Sequence, residues 1–180
     1  MPGATLDSLV EREALQENSV YNSLRPNVKD TLTYEQQELV TSLDNFEAHY
    51  LQEKLLKDGK FESPEQYQEA FTEFKKYVAL SEICEKKMSM MSKEVDEVWH
   101  QFILFTPQYH KFCKEMLGGY FHHIPKTSLT PLNPKGRENF FESYKEVFGE
   151  VPKIWAEDAW CILSPCDECT SGCAKWCESS

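Results

Sequence analysis

The residues best suited to chemistry in this chain are one aspartate and three histidines: Asp96, His100, His122 and His123. Asp96 and His100 are four positions apart, so in a helix their side chains lie one turn apart on the same flank. His122 and His123 come just before Pro125, where the chain is pushed towards an extended conformation. In an extended stretch the two imidazoles point in opposite directions, so only one of them should join His100.

Together, Asp96, His100 and one of His122 or His123 make a set of two histidines and one carboxylate. Such a set suits zinc or non-haem iron with open coordination positions, provided that the two segments meet. The alternative is a metal-free arrangement in which a hydrogen bond on the helix flank holds a partly buried histidine. Spacing alone slightly favours this second arrangement.

A second group of potential ligands lies in the C-terminal tail, residues 161–180. Cys166, Cys169, Cys173 and Cys177 fall within twelve residues, and the spacing of the first pair is a common one for metal chelation. If the tail is helical, all four sulfurs lie on one face, which suits a soft metal or two disulfides. The alternative is a pair of disulfides or an unstructured thiol tail. The lack of a signal peptide favours reduced thiols or metal ligands over a disulfide framework.

Helix start and stop signals predict the elements that must position these residues. Capping residues at Thr33, Ser63 and Ser92 each begin a helix, and the first is expected to run to Gly59. A break and restart follows at Thr106, and the apolar pattern over 140–148 indicates a last helix. No strand-like alternation is sustained. The predicted fold is therefore all-α, a compact bundle of about five helices with a cysteine-rich C-terminal tail. We expect an N-terminal arm at 1–32, a helical domain at 33–160 and the tail at 161–180.

The composition limits the classes of partner. The net charge of −11 repels nucleic-acid phosphates and anionic membrane surfaces, so we expect neither as a partner. The sequence contains no long apolar run and no pattern of a secretory signal. We therefore expect a cytoplasmic protein, or one secreted by a route that is independent of a signal peptide. A protein partner is compatible with the acidic surface, and its identity stays open.

Three segments form a specific pattern: Val95–Leu104 with its aspartate, tryptophan and histidine, Gly119–Pro125 with its paired histidines, and Tyr144–Trp155 with cysteines after it. On these segments the chain, from about Phe74 onward, resembles the bacterial, mostly uncharacterised proteins related to the glycine-rich domain-containing protein family. The resemblance implies no particular activity. It does imply that the motif residues act as one unit, namely Asp96, Trp99, His100, His122 and His123.

Three functions follow as hypotheses. The first is a metal-binding protein, with zinc favoured, whose metal has a structural or regulatory role and whose tail cysteines form a second site or complete the first. The second is an enzyme that uses the same two histidines and carboxylate to hold non-haem iron or zinc with an open position. The third is an acidic interaction or effector protein without metal, whose histidines only make hydrogen bonds in the core.

Overall fold

The computed structural model describes residues 24, 32–84, 86–124 and 135–155. This part of the chain forms six α-helices and no β-strand, which confirms the predicted all-α class. A π-helical turn at Cys113–Leu117 and a 3-10 turn at Lys153–Trp155 complete the secondary structure there. The helices are α1 Tyr34–Asp44, α2 His49–Lys57, α3 Pro64–Ile83, α4 Lys93–Leu104, α5 Thr106–Phe112 and α6 Gly136–Val147. The tail at 161–180 and nearly all of the arm at 1–32 lie outside the described residues.

The predicted capping residues begin α1, α3 and α4. The Thr33 hydroxyl accepts a hydrogen bond from the Gln36 backbone N–H, and the Gln36 side chain accepts one from the Thr33 N–H. Ser63 and Ser92 each accept from a backbone N–H three residues later. These bonds satisfy N–H groups that have no partner inside the first turn of a helix.

The helix predicted from Thr33 to Gly59 is instead two helices, with a break at residues 45–48. No proline or glycine marks this break in the sequence. Side chains of α3 bind the backbone carbonyls at its two ends: Lys75 Nζ donates to the Asp44 carbonyl at 3.1 Å, and the Tyr67 hydroxyl donates to the Ala48 carbonyl at 3.3 Å. These tertiary hydrogen bonds, together with the packing of Phe46 against the aromatic core, offset the lost helical bonds.

Helix α3 is the central element of the bundle. It contacts α1, α2, α4 and α6, and every residue from Ala70 to Leu80 is buried. A helix buried on all sides must also accommodate its polar residues, and these are expensive to bury without partners. Glu73 and Lys76 of α3 are both buried and form an ion pair at 2.7 Å.

Two aromatic side chains complete this buried ionic network, which consists of Glu73, Lys76, Tyr144 and Trp155. The Tyr144 hydroxyl donates to Glu73 Oε2 at 2.9 Å, and Trp155 Nε1 donates to the same oxygen at 2.6 Å. Lys76 Nζ donates to the Tyr144 hydroxyl at 3.0 Å. The network therefore joins α3, α6 and the 3-10 turn in the core, with each charge compensated.

Four buried tyrosines lead us to expect cooperative unfolding at alkaline pH. Burial raises the pKa of Tyr67, Tyr77, Tyr109 and Tyr144 above the ordinary value. Above a pH of about 10 the unfolded chain releases protons from these hydroxyls that the folded chain still holds, so the free energy of unfolding falls as pH rises. Tyrosinate absorbance and helical circular dichroism, followed together from pH 8 upwards, should show most of these tyrosines ionising only as the helices melt. Ionisation of all tyrosines in a chain that is still helical would contradict this prediction.

None of the helices described here is long and apolar enough to cross a lipid bilayer.

Candidate metal centre

Helix α4 carries the first two residues of the centre. Its buried stripe is formed by Val95, Val98, Trp99 and Phe102, which places Asp96 and His100 at the margin of the core, on one flank. The side chain of Asp96 is 29% exposed and that of His100 is 50% exposed. The capping bond of Ser92 fixes the start of the helix one turn before Asp96.

The third residue, His123, comes from the irregular segment 120–124 that follows the π-helical turn. A relay of two hydrogen bonds holds this segment on α4: Trp99 Nε1 donates to the Tyr109 hydroxyl at 2.9 Å, and that hydroxyl donates to the Phe121 carbonyl. The Phe121 ring stacks on Trp99 with centroids 4.8 Å apart. The edge-to-face contact of His123 with Trp99, at 4.4 Å, then fixes the imidazole beside Asp96.

Asp96, His100 and His123 form what we call the Asp/His/His group. One ligand atom from each lies within 4.8 Å of the other two. His123 Nε2 is 2.8 Å from Asp96 Oδ1, His100 Nδ1 is 3.6 Å from Asp96 Oδ2, and the two imidazole centroids are 4.5 Å apart. Each histidine therefore faces a different oxygen of one carboxylate.

His122 lies apart from this group, against the ring of Tyr120 with centroids 4.8 Å apart. Alternation along an extended backbone sends neighbouring side chains to opposite sides. The structure thus brings together Asp96, His100 and His123 and leaves His122 outside. The tail candidates Cys166, Cys169, Cys173 and Cys177 lie outside the described residues.

The donor set of the Asp/His/His group is of a kind that binds divalent transition metals, and two of its spacings are near those of a zinc site. With metal–ligand distances near 2.0–2.1 Å, two ligand atoms of a tetrahedral zinc site lie about 3.3 Å apart. The separation of 3.6 Å between His100 and Asp96 is close to that value, and the hydrogen bond of 2.8 Å between His123 and Asp96 would open by about half an ångström. The separation of the two imidazoles, whose centroids lie 4.5 Å apart, would have to adjust as well for an ion to be bound by all three residues.

The surroundings of the group set its electrostatics. Burial, followed by the negative charge of Asp96, raises the pKa of Tyr77, whose ring contacts Trp99. The neighbouring carboxylate of Glu97 is turned away to Lys60, with which it forms an ion pair at 3.1 Å. Asp96 is thus the carboxylate available to the two histidines.

Sequence reasoning missed the positioning role of Tyr109 and Phe121. A buried tyrosine needs a hydrogen-bond partner for its hydroxyl. That requirement is the feature of the sequence that could have indicated the positioning role of Tyr109. The partners of the Tyr109 hydroxyl are the Trp99 indole N–H and the Phe121 carbonyl. Their identity depends on how α4, α5 and segment 120–124 pack together.

A small, open cavity of about 50 Å³ lies elsewhere, at the break between α1 and α2. Its lining includes Asp44, Phe46, Tyr67, Phe71 and Lys75, and no member of the Asp/His/His group. Burial lowers the pKa of Lys75, while the nearby carboxylates of Asp44 and Glu47 oppose that shift. Because the Lys75 ammonium bonds the Asp44 carbonyl, we assign it to the stabilisation of the helix break.

The chain matches a known family model. The family described as UCP032817-like matches residues 35–145, which is more than half of the chain and includes the whole Asp/His/His group. No curated protein and no solved structure matches the chain. The resemblance to glycine-rich domain-containing proteins stays a prediction, because this match does not test it. The chain belongs to the UCP032817-like family.

Proposed function

We propose that this protein binds a divalent transition metal, with zinc favoured, through Asp96, His100 and His123. The observation that carries the proposal is the convergence of these three side chains from two separate segments, with ligand atoms within 4.8 Å of one another. Neutral imidazoles and a carboxylate are ordinary zinc ligands, and the same set suits iron(II).

The position of His100 supports metal binding over a purely hydrogen-bonded cluster. Its Nδ1 lies 3.6 Å from the Asp96 carboxylate, which is too long for a hydrogen bond. The two imidazoles also lie 4.5 Å apart, so they would repel each other if both were protonated. A metal ion between them would use both rings in their neutral form and would satisfy the carboxylate that they share.

The role that we propose for the ion is structural or regulatory. It would join α4 to segment 120–124, which otherwise rests on aromatic packing and the hydrogen bonds of Tyr109. An ion that binds only the folded state stabilises it by about 2.7 kcal/mol when its free concentration is 100 times the dissociation constant.

The second candidate is a non-haem iron or zinc enzyme that uses the same residues. The observation in its favour is that three protein ligands leave coordination positions open for water or oxygen. Its weakness is the surface location of the group, since the cavity at the helix break is formed by other residues. An enzyme of this kind should keep a coordination position that an added small ligand such as azide can occupy, whereas a structural site is closed by protein ligands.

The test compares zinc binding by the full chain, purified without a histidine tag, with two single-residue variants. His123→Ala should lose one zinc ion per chain in elemental analysis, and its affinity at this site should fall at least 100-fold, because one of three ligands is removed. His122→Ala is the matched control: it removes a neighbouring imidazole outside the group and should bind zinc like the unmodified protein.

Zinc held by the tail cysteines would be common to all three proteins, so the difference between variants isolates the Asp/His/His group. Equal zinc content and affinity in the unmodified chain and in His123→Ala would refute the proposal. In that case the role of the histidines would be structural only, and His123→Ala should lower stability through the loss of its hydrogen bond to Asp96 without any change in bound metal.

A further inference from the structure

We infer that the side-chain amine of Lys75 is a carbonyl-reactive group, and that the cavity at the break between α1 and α2 admits a small, uncharged aldehyde to it. The amine would be the nucleophile and the aldehyde carbon the electrophile of a covalent site on α3. This site is independent of the proposed metal centre, because no member of the Asp/His/His group lines the cavity.

Lys75 is buried without an ion pair, and the next residue on α3 shows the usual arrangement of a buried lysine. Lys75 is 3% exposed and Lys76 is 7% exposed. Lys76 Nζ lies 2.7 Å from the carboxylate of Glu73, whereas Lys75 forms no ion pair within the described residues. Lysine is almost never fully buried unless it is paired. A buried lysine without a paired carboxylate therefore indicates a role for the uncharged amine.

The contacts of Lys75 Nζ are compatible with the loss of a proton. The polar group that it contacts in the described part of the chain is the Asp44 carbonyl, at 3.1 Å, and the Phe71 ring lies 5.3 Å away. Burial lowers the pKa of Lys75, and the carboxylates of Asp44 and Glu47 offset only part of that shift. An uncharged amine can still donate one N–H to the Asp44 carbonyl, while its lone pair is available to attack a ligand.

The cavity gives a ligand access to this amine. Three aromatic rings line it, Phe46, Tyr67 and Phe71, together with the side-chain amides of Gln52 and Gln68, which are hydrogen-bonded to each other at 3.1 Å. Its volume is about 50 Å³. One water molecule needs about 10–15 Å³ of such space, so a molecule of only a few non-hydrogen atoms fits. The walls suit an apolar body with one polar group.

The charges around the cavity favour an uncharged aldehyde over an anionic one. Asp44 and Glu47 both line the cavity, and their carboxylates would repel a carboxylate or phosphate group on the ligand. The same carboxylates favour the product of the reaction, because a protonated imine is a cation. This cation keeps one N–H, so the hydrogen bond to the Asp44 carbonyl can persist after the reaction.

The reaction is a condensation that needs no oxidant or reductant. The Lys75 nitrogen forms a bond to the aldehyde carbon, and one proton moves from the nitrogen to the former carbonyl oxygen. That oxygen then takes a second proton and leaves as water, so amine, aldehyde and one proton give a protonated imine and one water molecule. His49 lines the cavity and its Nε2 lies 2.9 Å from Glu47. This pair is an acid–base group at the site that can supply the second proton.

The experiment treats the full chain, freed of metal by a chelator, with propionaldehyde and cyanoborohydride, which reduces a protonated imine to a stable alkylated amine. Peptide mapping by mass spectrometry reports the modified fraction of every lysine separately. At neutral pH an ordinary exposed lysine is almost entirely protonated. We therefore expect Lys75 to be labelled at least tenfold faster than Lys57, which is exposed. Lys76 is the internal control, because opening of the core would expose both buried lysines alike.

Three results would contradict the inference. Labelling of Lys75 no faster than that of Lys57 would overturn it. Equal labelling of Lys75 and Lys76 would also overturn it, because the reactivity would then come from opening of the core and not from the cavity. Glyoxylate, an anionic aldehyde, should show a smaller preference for Lys75 over Lys57 than propionaldehyde does, and an equal or larger preference would refute the assignment of an uncharged ligand.

A substitution gives an independent readout. Lys75→Arg can keep a hydrogen bond to the Asp44 carbonyl, but its guanidinium stays protonated and forms no imine. We expect this variant to lose the fast phase of propionaldehyde incorporation, measured by the mass of the intact protein, and Lys57→Arg, the matched control, to keep it. Circular dichroism checks that the helices are intact, and an unchanged fast phase in a folded Lys75→Arg chain would count against the inference. If Lys75→Arg does not fold, the mapping of the unmodified chain decides.

Discussion

Glu73→Ala is expected to lower the free energy of unfolding by about 3–5 kcal/mol. The substitution removes the carboxylate that compensates the buried Lys76 ammonium, and that ammonium keeps the Tyr144 hydroxyl as its hydrogen-bond partner. The hydroxyl of Tyr144 and the indole N–H of Trp155 lose their shared acceptor. An unpaired buried charge costs more than the pair contributed, because its desolvation is no longer offset.

Urea unfolding of the metal-free protein, followed by circular dichroism, measures this change. Glu69→Ala on the same helix is the control: Glu69 is exposed, and its removal should change stability by no more than about 0.5 kcal/mol. A loss below about 1 kcal/mol for Glu73→Ala would mean that water reaches Lys76 and that the network is not desolvated.

A double substitution separates the charge from the packing. Replacing both Glu73 and Lys76 with methionine removes the unpaired charge and keeps most of the volume, so the double variant should be more stable than Glu73→Ala. The stability should recover only in part, because Trp155 Nε1 and the Tyr144 hydroxyl still lack their acceptor. Each unsatisfied buried group costs about 1–3 kcal/mol. A double variant no more stable than Glu73→Ala would show that those two hydrogen bonds dominate.

Trp99→Ala is the second change with a large expected effect, on stability and on metal binding together. The Trp99 side chain is buried and its ring contacts Phe74, Tyr77, Phe121 and His123. Its removal should cost about 3–5 kcal/mol through the lost contacts and the cavity left behind. Since Trp99 also positions His123, we expect zinc affinity to fall by about 10–100-fold, as for other residues that orient a metal ligand.

The control for Trp99→Ala must lose similar stability at a residue that is not part of the metal centre. Leu43→Ala on α1 meets this need: Leu43 is fully buried, and its truncation should cost about 2–5 kcal/mol with unchanged zinc affinity. Equal loss of zinc affinity in both variants would show that Trp99 acts only through global stability.

A conservative variant tests the relay through Tyr109. Tyr109→Phe keeps the ring but removes the hydroxyl that accepts from Trp99 Nε1 and donates to the Phe121 carbonyl. If this relay positions His123, zinc affinity should fall while the helices stay folded. Zinc binding equal to that of the unmodified protein would limit the hydroxyl to a structural role.

Local features were predictable from the sequence because they depend on interactions within a few residues. Helix starts at Thr33, Ser63 and Ser92 follow from side chains that bond backbone N–H groups three residues ahead. The shared flank of Asp96 and His100 follows from the helical repeat. Alternation in an extended stretch likewise indicated that His122 and His123 point apart.

The tertiary structure alone decided three features: which histidine meets Asp96, where α1 ends and which charges are buried. His123 is selected because Tyr109 and Trp99 fix the rotation of segment 120–124. The break at 45–48 exists because Lys75 and Tyr67, distant in sequence, bind its carbonyls. Glu73 and Lys76 resemble any exposed i, i+3 pair until α6 and Trp155 cover them. Each outcome depends on contacts between residues far apart in the chain, and the periodicity of one segment carries no information about its partner.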